Sequence, residues 1–244
     1  MKGTMEPLLE MPSDFDRVLA IVAHPDDLEY GASAAIAVWT DAGKTVTYLL
    51  VTRGEAGING LSPTECGPRR EREQVAAAKC VGVDVVEFLD HHDGVIEHSL
   101  TLRSDLAAAI RRRRPELIVT LNHEDTWFGQ HWNSPDHRNT GRAVMDAVGD
   151  AGNRWIFPEQ IERGLEPWSG VRWVAINGAS NPTHAVAVES GLERAIASLE
   201  AHATYLAGLG GEMADPRTFL TNMARAAADR FGGRPATAFQ LIGG

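Results

Sequence analysis

The amino-acid sequence predicts an α/β fold: a Rossmann-like, doubly wound and mostly parallel sheet with helices on both faces, followed by a less regular C-terminal third. Two observations support this prediction. Short apolar runs recur along the first half of the 244-residue chain, and such runs are typical of strands buried on both faces. Segments with helical spacing separate the runs, and strands that alternate with helices form parallel βαβ units with right-handed crossovers.

The first half of the chain contains the more regular elements. Strands are expected at residues 17–23, 45–51, 83–89 and 116–122. Helices are expected at residues 31–42, 68–81, 99–114 and 135–149. Gly43 and Gly82 are suited to end the first two helices, and Pro115 prevents the third from continuing. The arginines at 111–114 are predicted to form a solvated helix end, where positive charge is favourable.

The sequence of the second half of the chain predicts shorter and less regular elements. Strands are expected near residues 171–176 and 185–188, and helices near residues 190–207 and 216–230. No linker, repeat or low-complexity stretch divides the sequence. We therefore expect a single domain over residues 1–244, with a loose leader over residues 1–15.

Composition excludes several classes of partner. Lys and Arg number 23 against 33 Asp and Glu, so the formal net charge is −10. This charge argues against nucleic-acid and anionic membrane partners, which require clustered basic residues. The two cysteines, Cys66 and Cys80, are expected to be unpaired, which suits a reducing compartment. No secretory signal is recognisable, and no apolar run approaches the ~18 residues of a membrane span. A cytoplasmic protein is expected.

Polar residues follow each of the first four predicted strands, where open α/β sheets bind their ligands. The sharpest pattern is the run from His24 to Asp27, which reads His-Pro-Asp-Asp. A catalytic zinc ion takes three protein ligands, and His24 and Asp27 lie on one tight turn. Asp26 would then stand beside the ion, where it could accept a proton from water. The alternative interpretation is a capping turn, in which Asp26 and Asp27 only begin the next helix.

A third ligand is expected near the start of the helix at 135–149. Ser134 is a good N-cap and Pro135 a good first helical residue, which places His137 in the first turn. A helix N-terminus disfavours imidazolium, so a neutral His137 would be ready to bind a metal. His123 and His131, in the preceding loop, are competing candidates, and a surface histidine is the alternative for His137.

Several ordered segments resemble the PIG-L/LmbE-like N-deacetylase family. They are AHPDDLEYGASAAIAVW, TRGEAG, RRERE, FLDHHDG and PDHRNTGRAVMDAV, and together they cover about residues 17–150. AHATYL at 201–206 is similar to a family segment near the end of the chain. The resemblance implies zinc-dependent hydrolysis of the acetamide of an N-acetylglucosamine-type amino sugar or its conjugate.

The resemblance also implies roles for individual residues. His24, Asp27 and His137 would hold one Zn²⁺ per chain, although other divalent transition metals bind similar ligands. Asp26 is similar to the general base of the family. Asp136 matches a second catalytic aspartate, which would orient a neighbouring group.

One position departs from the family pattern. Ser134 stands where several members carry a histidine that stabilises the oxyanion. His131, Trp132 or His202 could take over this task, and the sequence does not select among them. The alternative interpretation is that Ser134 is present because serine is a better N-cap than histidine.

Six residues are expected to contact substrate: Arg70, Asp93, Asp90, Arg53, Trp132 and His202. Carboxylates accept hydrogen bonds from sugar hydroxyls, and aromatic rings stack on sugar rings. Each has a structural alternative: an exposed ion pair of Arg70 with Glu73, a polar turn at the aspartates, and core anchors at the aromatic residues.

Three other functions compete with deacetylation. A zinc amidase of the same fold could cleave a larger acyl group or a thiol-conjugate amide. A non-catalytic Rossmann-like protein could bind a sugar or a nucleotide, although no dinucleotide fingerprint follows the first strand. An inactive homologue is a further alternative, because of Ser134. The partner is expected to be a small amino-sugar molecule, and the resemblance also allows a homo-oligomer.

Overall fold

The structure is a computed structural model that describes residues 6–243. Residues 1–5 of the predicted leader lie outside the described residues. Within the described part, no helix is both long and apolar enough to cross a membrane.

Ten strands and nine α-helices occupy the described residues from residue 9 onwards. The strands are β1 (Leu9–Glu10), β2 (Arg17–Val22), β3 (Thr45–Leu50), β4 (Val85–Phe88), β5 (Leu117–Leu121), β6 (Thr126–Trp127), β7 (His131–Trp132), β8 (Trp173–Asn177), β9 (His184–Ala187) and β10 (Ala236–Gly243). The α-helices are α1 (Asp27–Gly31), α2 (Ser33–Asp41), α3 (Pro63–Cys80), α4 (Leu100–Arg113), α5 (Pro135–Gly152), α6 (Pro158–Glu162), α7 (Leu192–Glu200), α8 (Ala203–Leu206) and α9 (Pro216–Ala226). Two 3₁₀ turns occupy Gly211–Ala214 and Ala228–Arg230.

The main sheet confirms the predicted fold class. Its order in the described residues is β1-β9-β10-β8-β5-β2-β3-β4. The neighbours from β8 to β4 are all parallel, whereas β10 runs antiparallel to both β8 and β9. The chain winds outward from β2 in both directions, so the strand order reverses between β2 and β5. Ligands of open α/β sheets bind at the carboxyl ends of the strands beside such a reversal.

Both faces of the sheet are covered, which explains the uninterrupted apolar runs. In β2, Val18, Ala20 and Val22 join the core under α2, α7 and α9. Leu19 and Ile21 point to the opposite face and pack with α4 and α5. Successive side chains of a strand alternate between faces, so a strand buried on both sides needs apolar residues at every position.

The N-terminal part of three predicted elements differs from the structure. The helix predicted at residues 31–42 begins at Ser33 as α2, and the short helix α1 precedes it at Asp27–Gly31, with a break at Ala32 between the two. The helix predicted from residue 68 begins at Pro63, where Ser62 and Glu65 form a capping box. The predicted loose leader is wrong for residues 8–15, because β1 pairs with β9 and Phe15 is buried in the core.

The sequence analysis did not predict the last strand, β10, or the burial of Arg111 at the end of α4. β10 was not predicted, although it joins β8 to β9 in the sheet. The prediction of a solvated helix end is wrong for Arg111, because only 3% of this residue is exposed. Its guanidinium donates to the carbonyls of Ala151 and Asn153 and to the side chain of Gln160. Arg111 therefore ties α4 to the end of α5 and to α6.

Candidate metal centre and active site

Three side chains meet at the carboxyl end of β2. His24 lies on the turn after β2, Asp27 begins α1 and His137 lies in the first turn of α5. A ligand atom from each residue lies within 4.8 Å of the other two. Ser134 caps α5 by accepting from the backbone N–H of His137 at 3.1 Å, which places this histidine as predicted.

Hydrogen-bond partners orient the two imidazole rings. His24 Nε2 lies 3.0 Å from Asp136 Oδ2 and 3.1 Å from Asp93 Oδ1. Its Nδ1 is left facing Asp27, at 3.5 Å. On the other ring, His137 Nδ1 lies 3.0 Å from Asn133 Oδ1, and Nε2 lies 3.1 Å from Asp27 Oδ1. Metal-binding histidines are held in this way, through the nitrogen that does not bind the metal.

The donor set fits a divalent transition metal. Two imidazole nitrogens and a carboxylate suit zinc and related ions, and leave a coordination position free for water. Four carboxylates surround the turn, from Asp26, Asp27, Asp93 and Asp136. Among the described residues, Arg70 is the only Lys or Arg paired with any of them. Such an excess of buried negative charge is expected where a cation binds.

A second grouping of His24 with Asp93 and Asp136 is less suited to a metal. The oxygens of Asp136 accept from the backbone N–H groups of Gly94 at 2.6 Å and Ile96 at 3.1 Å. Asp93 accepts from the backbone N–H of Ala56 at 2.9 Å. These two carboxylates are occupied in fixing the loop and the His24 ring, so we assign them a supporting role.

The charges at the centre depend strongly on one another. Burial opposes ionisation of Asp27, but His137 and His24 outweigh this effect and lower its pKa far below the usual range. Burial likewise disfavours the charged form of His24, and Asp27 and Asp136 outweigh it and raise the pKa of that histidine. Protons and a metal ion therefore compete for the same three side chains.

Asp26 lies beside the cluster but binds a different partner. Its backbone adopts φ 95°, in the left-handed region that aspartate tolerates better than most residues. The backbone N–H donates to Gln74 Oε1 at 3.0 Å, and Oδ1 accepts from Arg70 Nη2 at 2.8 Å. Burial raises the pKa of Asp26 to about 6, although Arg70 acts in the opposite direction.

Arg70 lines the cavity, as expected of a substrate contact, but its guanidinium is already engaged. It donates to Asp26, to the carbonyl of Pro25 and to that of Gly54, and it stacks over the Tyr205 ring at 4.3 Å. Gly54 has φ 62°, and a Cβ there would collide with the guanidinium. The glycine of this loop thus makes room for Arg70. Arg70 is placed to position Asp26, and only 2% of it is exposed.

The cluster opens into a cavity of about 600 Å³. His24, Asp26, Asp27, Asp93 and His137 form one end of it. Tyr30, Phe219 and the methionines at 213 and 223 form much of the remainder, together with Trp127 and Phe128 of the β6–β7 hairpin. A volume of this size is typical of small-molecule sites.

Four of the predicted substrate contacts lie outside the cavity lining. Arg53 pairs with Asp90 at 2.8 Å, and the Asp90 side chain is 91% exposed. Trp132 is 71% exposed and lies under Arg138. His202 is fully buried behind Asp26, with Nε2 3.5 Å from Glu29 Oε2.

The cavity lining narrows the choice of residue that could stabilise the oxyanion in place of the family histidine replaced by Ser134. Of the three residues considered for this task, His131 lines the cavity, whereas Trp132 and His202 do not. His123, which was considered as a metal ligand, also lies outside the lining. Burial lowers the pKa of His123, whose ring packs beside α5 at Gly141.

Tyr205 is one of the cavity residues that the sequence argument missed, and it lies beside the proposed general base. It belongs to the AHATYL segment, where the histidine was selected instead. Its ring lies against Arg70, and burial together with the charge of Asp26 raises the pKa of its hydroxyl, which therefore stays protonated. A tyrosine three residues after a predicted site histidine could have been considered, because AHATYL already carried a resemblance.

The chain thus has an open α/β sheet with a group of histidine and aspartate side chains at the carboxyl end of its strands. The sequence profile of the family described as PIG-L, GlcNAc-PI de-N-acetylase, matches residues 19–148, more than half of the chain. The chain therefore belongs to this family.

Individual relatives agree with this assignment. Diacetylchitobiose deacetylase of Thermococcus kodakarensis is 29% identical over 192 residues, which cover 78% of this chain and 70% of that protein. The structure of N,N'-diacetylchitobiose deacetylase from Pyrococcus horikoshii, in complex with its inhibitor MPG, superposes with a TM-score of 0.82. The two sequences are 24% identical, and the superposition covers 94% of this chain and 84% of the Pyrococcus horikoshii chain.

A second structure shows that the fold alone does not decide the activity. GalB, the 4-carboxy-2-hydroxymuconate hydratase of Pseudomonas putida, has a TM-score of 0.74 at 17% identity, over 93% of this chain and 96% of its own. Function must therefore be argued from the side chains of the site.

Proposed function

We propose that this protein is a zinc-dependent N-deacetylase that hydrolyses the acetamide of an N-acetylglucosamine-type sugar or its conjugate. The observation that carries the proposal is the convergence of His24 Nδ1, Asp27 and His137 Nε2 at the end of a cavity that Asp26 also lines. The family match and the diacetylchitobiose deacetylases among the relatives support the choice of substrate.

His24, Asp27 and His137 would hold the ion. A bound Zn²⁺ would lower the pKa of a coordinated water and polarise the amide carbonyl. Asp136, Asp93 and Asn133 keep the two imidazole rings turned towards Asp27 through the hydrogen bonds described above. These hydrogen bonds would fix the tautomer and the orientation of each ring.

Asp26 would move the proton. It accepts a proton from water as the oxygen attacks the carbonyl carbon, and it later donates this proton to the nitrogen as the C–N bond breaks. The products are acetate and the free amine. Arg70 holds the Asp26 carboxylate in place, and the protonated Tyr205 hydroxyl can donate a hydrogen bond within the same cavity.

Acetate release tests this proposal. The protein would be stripped with a chelator, reloaded with Zn²⁺, Mn²⁺ or Co²⁺, and incubated with N-acetylglucosamine, its inositol glycoside and diacetylchitobiose. We expect acetate from at least one substrate with the zinc-loaded protein, and both metal and activity lost in His24→Ala.

His98→Ala is the matched control, because His98 also bonds an aspartate, at 2.9 Å, but on the surface. We expect this variant to retain metal and activity. Full activity in His24→Ala would refute the proposed site.

A further inference from the structure

The wall of the catalytic cavity is unexpectedly apolar for a site that binds only a sugar. Beyond the metal-binding side chains, this wall is formed largely by Tyr30, Met213, Phe219 and Met223. Aromatic faces can stack on sugar rings, but methionine side chains offer sugar hydroxyls only a weak acceptor. Methionines instead adapt to apolar groups of varied shape.

A second cavity, of about 420 Å³, continues from the first. The residues that line both are Tyr30, Gly31, Phe128, Asn177, Gly178 and Met223. Beyond them, the wall is mainly aliphatic and includes Ala34, Ala179, Leu192, Leu220 and Ala224. None of the proposed metal ligands, and neither Asp26 nor Arg70, reaches this cavity.

One helix lies along both cavities. On α9, Phe219 faces the first cavity, Leu220 and Ala224 face the second, and Met223 lines both. Residues three and four apart are neighbours on a helix surface, so these side chains form one continuous apolar stripe. The stripe connects the apolar part of the first cavity to the second cavity without a polar interruption from the helix.

Apolar side chains are also exposed around the junction. Phe128 is 56%, Met213 44% and Met223 43% exposed. Phe128 moreover has φ 52°, a left-handed conformation that is unusual for a bulky residue and is often retained at ligand sites. Clustered exposed apolar side chains commonly mark a binding groove.

We propose that the substrate carries an alkyl or aryl group that extends from the catalytic cavity into the second cavity. The prediction that this substrate is deacetylated rests on the proposed function. The prediction that the second cavity binds an apolar group does not depend on it. The group could be attached to the sugar as an aglycone, or it could be part of the N-acyl group. Both sources share the same apolar chemistry, and the experiment separates them.

Two series of compounds test the proposal with the zinc-loaded enzyme. The first is N-acetylglucosaminides with methyl, butyl, hexyl and octyl aglycones, and the second is methyl glucosaminides with N-acyl groups from acetyl to octanoyl. Release of the free amine gives kcat/KM. Each methylene that becomes buried is expected to raise kcat/KM up to about fourfold in one of the series. The series that shows this rise identifies the position of the apolar group.

A binding measurement separates failure of this inference from failure of the proposed function. Calorimetry on zinc-loaded Asp26→Asn measures affinity without turnover. Turnover of the methyl and acetyl compounds with no dependence on chain length would leave deacetylation intact and overturn the inference. Tighter binding of the octyl than of the methyl compound, by tenfold or more and without turnover in the parent, would support the inference while overturning the proposed function.

Filling the second cavity gives an independent test. Ala224→Phe should flatten the dependence on chain length, and Ala227→Leu, at a half-buried position in the same wall, should reduce it if the larger change prevents folding. Ala197→Phe is the control, because Ala197 is exposed on α7 and lines neither cavity. A folded Ala224→Phe protein with the parent's chain-length dependence would overturn the proposal.

Discussion

Replacing Asp136 with asparagine should weaken metal binding although Asp136 is not a proposed ligand. Its carboxylate is buried, accepts from His24 Nε2 at 3.0 Å, and also accepts from the backbone N–H groups of Gly94 and Ile96. Asn keeps the shape but exchanges one acceptor oxygen for an NH₂ donor. Whichever way the amide is placed, one of the two backbone N–H groups then faces another donor.

Two separate effects follow, and each has its own magnitude. A buried donor without an acceptor costs about 1–3 kcal/mol of unfolding free energy. Loss of the partner that orients a ligand histidine commonly lowers metal affinity by about 10- to 100-fold. That range corresponds to about 1.4–2.7 kcal/mol of binding free energy.

The assay measures the two effects apart. Competition with a chromophoric chelator gives the zinc Kd, and urea unfolding in excess chelator gives the stability of the metal-free protein. Asp146→Asn is the control: the same substitution on the same helix, at an exposed carboxylate that bonds His98 Nε2 at 2.9 Å. A surface change of this kind should alter zinc affinity by no more than about twofold.

Zinc affinity equal to that of the parent in Asp136→Asn would refute the reasoning, even if the protein were less stable. In that case the carboxylate would only fix the backbone near residues 94–96, and orientation of His24 would not matter for metal binding.

Three further predictions follow from the same contacts. Tyr205→Phe should lower kcat for acetate release about tenfold or more with little change in KM, because it removes a hydrogen-bond donor that can stabilise the negative charge developing in the transition state; an unchanged kcat would exclude this role. Arg111→Met should lower the unfolding free energy by about 3 kcal/mol or more, because several buried carbonyls lose their donor; urea unfolding equal to that of the parent would contradict this. Zinc at a hundredfold excess over its Kd should stabilise the chelator-treated protein by about 2.7 kcal/mol, and calorimetric melting should show no such shift in His24→Ala.

Local patterns predicted most of the fold and the centre of the site. The apolar runs of β2, β3 and β5 are continuous because both faces of the sheet are covered, and that requirement is visible in the sequence. His24 and Asp27 lie on one turn, and Ser134 caps the helix that carries His137. Each of these features depends on neighbours within a few residues.

The features that the sequence did not predict depend on distant contacts. His202 and Tyr205 lie on the same short segment, and only the packing of this segment against α3 decides that the histidine is buried and the tyrosine faces the cavity. Arg70 was expected to be free for substrate, but its partners at Pro25 and Gly54 come from other loops. β10 likewise depends on distant contacts, because it pairs with β8 and β9, which lie far from it in the sequence.

The position of β10 has a consequence for synthesis on the ribosome. It is the last strand in chain order among the described residues, yet it lies inside the sheet between β8 and β9. Until residues 236–243 emerge, β1 and β9 have no connection to the growing sheet, and β8 presents an open edge of unpaired backbone groups. Such edges pair readily with other chains. The β8 edge of the nascent chain is therefore open to association with other chains until β10 is inserted.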